Sequence, residues 1–212
     1  VRNKKVKGIV VSVKKAQDIK TDIKRAGFAL KKIEKIKAKS FFTRHFTNAL
    51  SYTSDYFSGS IGSTMYSLVP DYIFESIDKF KLNEFEIDKT QNNNIDNNET
   101  DNLNNQKIYL IDSPESERYT QFRNIIRHEF AKKRSLFFIY PNAEQAIHGF
   151  NLLKKGIEKY SFLLHGNLTK KEIISTWNNI LEEIHSVVIV CSYAFLSIDR
   201  SDLVTIVIEN VN

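Results

Sequence analysis

Ile108-Tyr109-Leu110-Ile111, Leu136-Phe137-Phe138-Ile139-Tyr140, Phe162-Leu163-Leu164, Val187-Val188-Ile189-Val190 and Leu203-Val204-Thr205-Ile206-Val207-Ile208 are short apolar runs in the second half of the chain. Between them lie segments whose apolar residues recur at helical spacing: Phe122, Ile125, Ile126 and Phe130, then Ala146, Phe150, Leu153 and Ile157, then Ile173, Ile174, Trp177 and Ile180. A strand buried on both faces reads as a continuous apolar run, and parallel strands need a helix-length crossover. The alternation therefore predicts an α/β lobe, a parallel sheet with helices on both faces, from Lys107 onward.

In such a sheet a nucleotide-binding protein carries its phosphate loop at the first strand-to-helix connection. Here that connection is Asp112-Ser113-Pro114-Glu115-Ser116-Glu117-Arg118-Tyr119. It has no glycine to let backbone N–H groups turn inward and no lysine. It reads as a helix start, with Ser113 as N-cap, Pro114 at the first helical position and Glu115 and Glu117 in the first turn. A carboxylate about 4 Å from a phosphate charge costs on the order of 4 kcal/mol at a near-surface dielectric, so this loop is expected to repel ATP.

Leu164-His165-Gly166-Asn167-Leu168-Thr169-Lys170-Lys171-Glu172, followed by Trp177-Asn178-Asn179-Ile180, resembles a segment of the bacterial primosomal protein N' family of replication-restart helicases. There a strand ends in His-Ser-x-Leu-Ser-x-x-Glu and the next helix carries a Trp before Ile. In the same register Leu136 to Pro141 resembles the family's strand ending in Val-Pro, and Val187 to Ser192 its Val-Val-x-Gly-Thr-Arg-Ser segment. The resemblance implies a RecA-like lobe of the P-loop NTPase and superfamily 2 helicase type, with ATP and magnesium as the family's cofactors.

That register places the family's Gly-Ser-Gly-Lys-Thr on Glu115-Ser116-Glu117-Arg118-Tyr119 and its Asp-Glu-Glu-His on Glu209-Asn210-Val211-Asn212. Cys191-Ser192-Tyr193 stands where the family has Gly-Thr-Arg. Ser116, Arg118 and Glu209 are thus what is left of a nucleotide site; Glu209 can still ligate a metal, whereas Asn210 cannot accept a proton. The expectation is a lobe that keeps its fold without hydrolytic chemistry, binding no cofactor and no metal, with no catalytic residue.

The 212 residues suffice for one or two domains with a real core. The chain starts at Val1 and stops at the fourth residue of a helicase motif, which reads as a piece of a longer protein. No apolar run approaches the ~18 residues of a membrane span. Cys191 is the only cysteine and reads as a small buried residue at a strand end; disulfides play no part, and a cytoplasmic location is expected.

Residues 1–50 hold 15 Lys+Arg against 3 Asp+Glu, leaving 16 basic and 22 acidic residues downstream. A front segment at +12 and a remainder at −6 fit either a nucleic-acid surface or the solvated, lysine-rich surface of a protein encoded by AT-rich DNA. Gly8-Ile9-Val10-Val11-Ser12-Val13 reads as a strand led in by Lys4, Lys5 and Lys7, with Lys14 and Lys15 following. A polar turn spans Asp18 to Gly27, and Leu30 to Ile36 reads as a half-exposed strand. From Thr43 a helix carries Phe46, Leu50, Tyr52, Tyr56 and Phe57 and ends near Gly59 and Gly62; its aromatic cluster reads as helix core in preference to a base-stacking platform, and His45 as a surface residue.

This front segment also resembles the family's small β-rich domain that holds the 3′ end of a nascent DNA strand. The matching residues are Gly8 to Val13, Leu30-Lys31 with Glu34, Leu50 to Phe57, Ile61-Gly62 and Leu68-Val69-Pro70. Lys31 occupies the position of a pocket lysine, while the family's Phe-Asp-Tyr strand would precede Val1. Lys31, Lys4, Lys5, Lys7, Lys14 and Lys15 are accordingly the expected DNA contacts. Asp71 to Phe85 reads as a helix with Ile73, Phe74, Ile77 and Phe80 on one side, and Gln91 to Gln106, with eight asparagines, as a disordered linker.

The expected organisation is a DNA-end-binding domain over 1–72, a helix and linker over 73–106, and the degenerate helicase lobe over 107–212. The favoured function is DNA binding in replication restart, with forked or 3′-ended DNA and primosome proteins as partners and no membrane. An ATP-dependent 3′-to-5′ DNA helicase and a protein-interaction scaffold that does not bind DNA are the alternatives.

Overall fold

The computed structural model describes residues 10, 15, 17–18, 20–25, 27, 33–34, 41–81 and 107–209, in two compact units, Val1–Phe80 and Lys81–Asn212. The asparagine tract, both expected N-terminal strands except Val10, Ile33 and Glu34, and the expected contacts Lys4, Lys5, Lys7, Lys14 and Lys31 lie outside these residues.

Helices make up the regular structure described in the first unit. Val10, Ile33 and Glu34 are not in strand, and the polar stretch expected as a turn contains α1, Lys20–Arg25. Helix α2, Arg44–Tyr56, starts where Thr43 accepts a hydrogen bond from the Phe46 N–H, so a free donor of the first turn is satisfied. Helix α3, Ile61–Leu68, starts with a reciprocal Ser60–Ser63 capping box. The expected long helix from Asp71 is shorter: α4, Asp71–Ser76, runs into a 3-10 turn at Ile77–Lys79, and Phe80 is already extended. Aromatic rings fill the interior. Phe42 stacks on Phe46 at 5.1 Å and lies 6.1 Å from Phe74, while Phe41 meets Phe80 edge-on at 5.6 Å.

The second unit is an α/β layer structure. Helix α5, Glu115–Ala131, leads to β1, Ser135–Tyr140; α6, Ala143–Leu153, leads to β2, Ser161–Leu164; α7, Lys170–Glu182, leads to β3, Val188–Ser192; and β4, Leu203–Ile208, follows. All pairings are parallel and the strand order is β2-β3-β1-β4. Every residue of β1 is buried, as a central parallel strand requires. The step from β1 to β2 and the step back to β3 run in opposite directions, so right-handed crossovers put α6 and α7 on opposite faces. On one face Tyr119, Phe122 and Ile126 of α5 and Ala146 and Leu153 of α6 pack with Leu136, Phe138, Tyr140, Val188 and Val190. Helix α7, buried through Ile173, Trp177 and Ile180, lies along β2 after a Thr169–Glu172 capping box.

Two local features hold the layers in register. Gly149 of α6 sits against the Tyr140 ring so closely that a Cβ there would overlap the phenol. At the other end of the strands, Ser135 accepts a hydrogen bond from Val187 N–H at 2.9 Å and donates to Asp202 at 2.6 Å, stitching β1 to the starts of β3 and β4.

The first expected strand of this lobe does not form. Ile108, Tyr109 and Leu110 are exposed at 93%, 77% and 93% and are unpaired in the sheet; only Ile111 reaches the core. Apolar composition alone does not make a strand, which also needs a neighbour for its backbone groups. The outermost strand described on that side is β4, and its Val204, Ile206 and Ile208 are exposed as well.

Candidate functional site

In an open parallel sheet, ligands bind outside the carboxyl ends of the strands. Around that edge the second unit gathers the start of α5, the end of β1 and the residue after β4. Glu209 follows directly on β4, and its N–H donates to the Ile139 carbonyl at 2.9 Å, so the position is tied to β1. Arg118, one turn into α5, reaches it: Nη2 lies 2.7 Å from Glu209 Oε1, and Nη1 donates to the Ser113 carbonyl at 2.9 Å. Glu209 is buried and the Arg118 side chain is three-quarters buried, so the pair is shielded from solvent.

Two of the residues expected at a degenerate nucleotide site, Arg118 and Glu209, are therefore brought together and engage each other. The third, Ser116, is exposed on the first turn of α5, where its carbonyl accepts from Thr120 Oγ1 at 3.0 Å. Ser113 is not the helix cap. Pro114 holds that position without a side-chain hydrogen bond, and the Ser113 hydroxyl is buried with no partner among the described residues. Pro114 has a helix-compatible φ of −54°, but its ψ of 151° is extended, so helical backbone begins only at Glu115.

The positive end of α5 faces its own carboxylates, Glu115 and Glu117, in the first turn. Glu115 is further engaged by His148 of α6, with Nε2 2.8 Å from Oε1. Below this surface the Tyr119 and Tyr140 hydroxyls meet at 3.1 Å. Burial raises the Tyr140 phenol above its ordinary value, reinforced by the Tyr119 hydroxyl, and burial likewise raises Tyr119. Both stay protonated near neutral pH, as structural hydroxyls and not as bases.

Sequence reasoning missed His148 and the tyrosine pair. Helices α5 and α6 pack on the same face of the sheet, which brings Glu115 beside His148 and Tyr119 beside Tyr140, a juxtaposition that no local spacing signals. Elsewhere on the edge, His165 after β2 is buried, its Nδ1 accepts from the Asn167 N–H at 3.3 Å, and burial lowers its pKa so that the neutral ring is favoured. Cys191 is fully buried and its thiol is pushed well up by desolvation, which leaves it unreactive. Of the expected DNA contacts only Lys15 is described; it is exposed.

A second surface lies in the first unit. Tyr52, Tyr56 and Phe57 are exposed at 74%, 73% and 73%, which corrects the expectation that they form helix core. Among the described side chains of α2, Leu50 and Ser54 are the buried ones, and Tyr52 and Tyr56 come two residues after each of them. At 3.6 residues per turn that offset is about 200°, so the tyrosines point away from the interior.

No family model matches the chain, and neither do any curated protein or solved structure.

Proposed function

We propose that this chain is a DNA-binding protein of the replication-restart type, whose α/β lobe is a RecA-like helicase lobe kept as a scaffold without ATP hydrolysis. The Arg118–Glu209 pair carries the reading. In the family register these residues stand for the phosphate-binding lysine and the metal-binding acid, groups that in a working enzyme are separated by nucleotide and magnesium. Here they close directly on each other, and the adjoining helix terminus is occupied by Glu115 and Glu117. That closure supports the scaffold reading. The DNA reading rests on the basic front segment and on Lys31.

A forked oligonucleotide with a 3′-ended strand tests it. Binding is expected to weaken steeply with salt, and Lys31→Ala is expected to lower the slope of log Kd against log[salt] by about 0.7–0.9, the contribution of one phosphate contact. Undetectable binding at low salt, with the chain folded, would leave the lobe a protein-interaction scaffold.

A further inference from the structure

Cations are unevenly placed on the α/β unit. Residues 107–209 hold 13 Lys+Arg and 12 Asp+Glu, a near balance. Eight of those cations nevertheless fall within residues 123–134 and 154–159, against two acids, Glu129 and Glu158. The fold brings these two segments together. Helices α5 and α6 pack on the same face and each leads into a strand of one parallel sheet, so both end at the edge where the strands begin. Glu115 and Tyr119 of α5 face His148 of α6, and Arg123 and Arg127 continue that row at four-residue steps. At 1.5 Å per residue Arg123 is about 12 Å beyond Glu115, and Lys154 about 9 Å beyond His148, so the arginines and the Lys154-Lys155 pair lie at similar heights.

The charge of this strip is little compensated. Arg123 donates to Thr120 Oγ1 at 3.5 Å and Arg127 to Asn124 Oδ1 at 3.2 Å, both neutral partners. Of the eight cations, Arg134 is the one with a salt bridge among the described residues, to Glu129 at 3.8 Å. Cations in the last turn of a helix complement its dipole, but that effect fades within the turn, and Arg123 and Arg127 come before the last turn of α5.

The composition of the strip selects its occupant. No large apolar side chain is exposed within residues 123–134 or 154–159. A protein interface is built on apolar and aromatic anchors with charge depleted from its centre, and unpaired bases need exposed rings to stack on. A row of guanidinium and ammonium groups without either fits the phosphates of a duplex, which it meets without reading sequence. From Arg123 to Lys132 is about 14 Å, the axial rise of about four base pairs.

From this juxtaposition we infer that Arg123, Arg127, Lys154 and Lys155, continued by Lys132 and Lys133, form a contact strip for the phosphate backbone of duplex nucleic acid. The inference rests on the DNA-binding reading above and gives it a second contact, on the α/β unit itself.

The probe is a blunt, fluorescein-labelled DNA duplex of about 16 base pairs, several times the span of the strip. Fluorescence anisotropy on the whole chain, over a series of salt concentrations, compares the native protein with Arg123→Gln/Arg127→Gln and Lys154→Gln/Lys155→Gln. Lys170→Gln/Lys171→Gln makes an equal charge change at the start of α7, by the opposite edge of the sheet. Each strip pair should lower the slope of log Kd against log[salt] by about 1.8, about 0.9 per phosphate contact, while the α7 pair leaves it unchanged. Arg123→Lys/Arg127→Lys should keep the native slope, because charge sets it. The two strip pairs lie on different segments, so either reads the strip if the other fails to fold.

A native slope in either folded strip pair, or an equal loss in the α7 pair, would overturn the strip. A native chain that binds the forked 3′-ended oligonucleotide but not the blunt duplex would overturn the strip and leave the DNA reading standing; failure to bind either would overturn both. A polyglutamate peptide bound as tightly as the duplex, and weakened by the same pairs, would assign the strip to an acidic protein segment instead.

Discussion

Arg200 is buried in the second unit and makes five hydrogen bonds there. Its guanidinium donates to the carbonyls of Ile180, Glu183 and His185 at the end of α7 and forks onto the Asp202 carboxylate at 2.8 and 2.9 Å. A helix ends with carbonyls that lack intrahelical donors, and here a buried cation from a distant loop provides them. Burial opposes ionisation of Asp202, but hydrogen bonds from Arg200 and Ser135 together with the Arg200 charge outweigh it, and the carboxyl sits below its ordinary range. A depressed carboxyl stabilises the fold above its unfolded value, about pH 4, and that contribution is lost as pH falls through the lower folded value. Arg200→Ala should destabilise the fold by about 2–3 kcal/mol at pH 7, less than the roughly 3–5 kcal/mol of a fully buried pair because Asp202 is partly solvated. Urea midpoints of native and variant proteins should draw closer below pH 4. An unchanged gap there would assign the loss to the carbonyl caps alone.

The connection from α5 to β1 shows how an element is stopped without the residue that favours stopping. Arg134 N–H bonds to the Glu129 carbonyl and Lys133 N–H to the Phe130 carbonyl, the paired closure of a Schellman motif, and Lys133 takes φ 56° to make it. A side chain in that left-handed region is under strain, which glycine would relieve. Lys133→Gly is therefore expected to raise unfolding free energy by about 0.5–1 kcal/mol in denaturant titration, with the m-value unchanged. A loss of stability would show that the lysine side chain contributes more than the backbone strain costs. The tight packing of Gly149 on Tyr140, by contrast, depends on how α6 meets β1 and has no counterpart in local sequence pattern.

At the scale of the whole molecule, the proposed scaffold reading requires a nucleotide at this edge to break the shielded Arg118–Glu209 ion pair first. ATP with magnesium at about 100 times a binding constant would stabilise a competent lobe by about 2.7 kcal/mol. Thermal unfolding of this chain should instead shift by less than about 1 °C at millimolar ATP and magnesium, against roughly 2–4 °C per kcal/mol in a chain of this length. A shift of several degrees would return the lobe to the ATP-dependent helicases. No helix among the described residues is long and apolar enough to cross a membrane.

Residue pattern alone determined the strands β1 to β4 and the helices between them, because apolar runs and helical spacing are local properties that the sheet and its crossovers read directly. The same pattern determined that the start of α5 carries acids and no glycine. Only the tertiary structure decided which apolar residues find a partner. Ile108 to Leu110 match any strand in composition yet face solvent, and Tyr52 and Tyr56 of α2 sit at core-like spacing yet point outward. Burial depends on what lies opposite a side chain, which spacing within one element does not specify. For the same reason the sequence named Arg118 and Glu209 but not their embrace: they lie 91 positions apart, and the parallel pairing of β4 with β1 brings Glu209 to the start of α5.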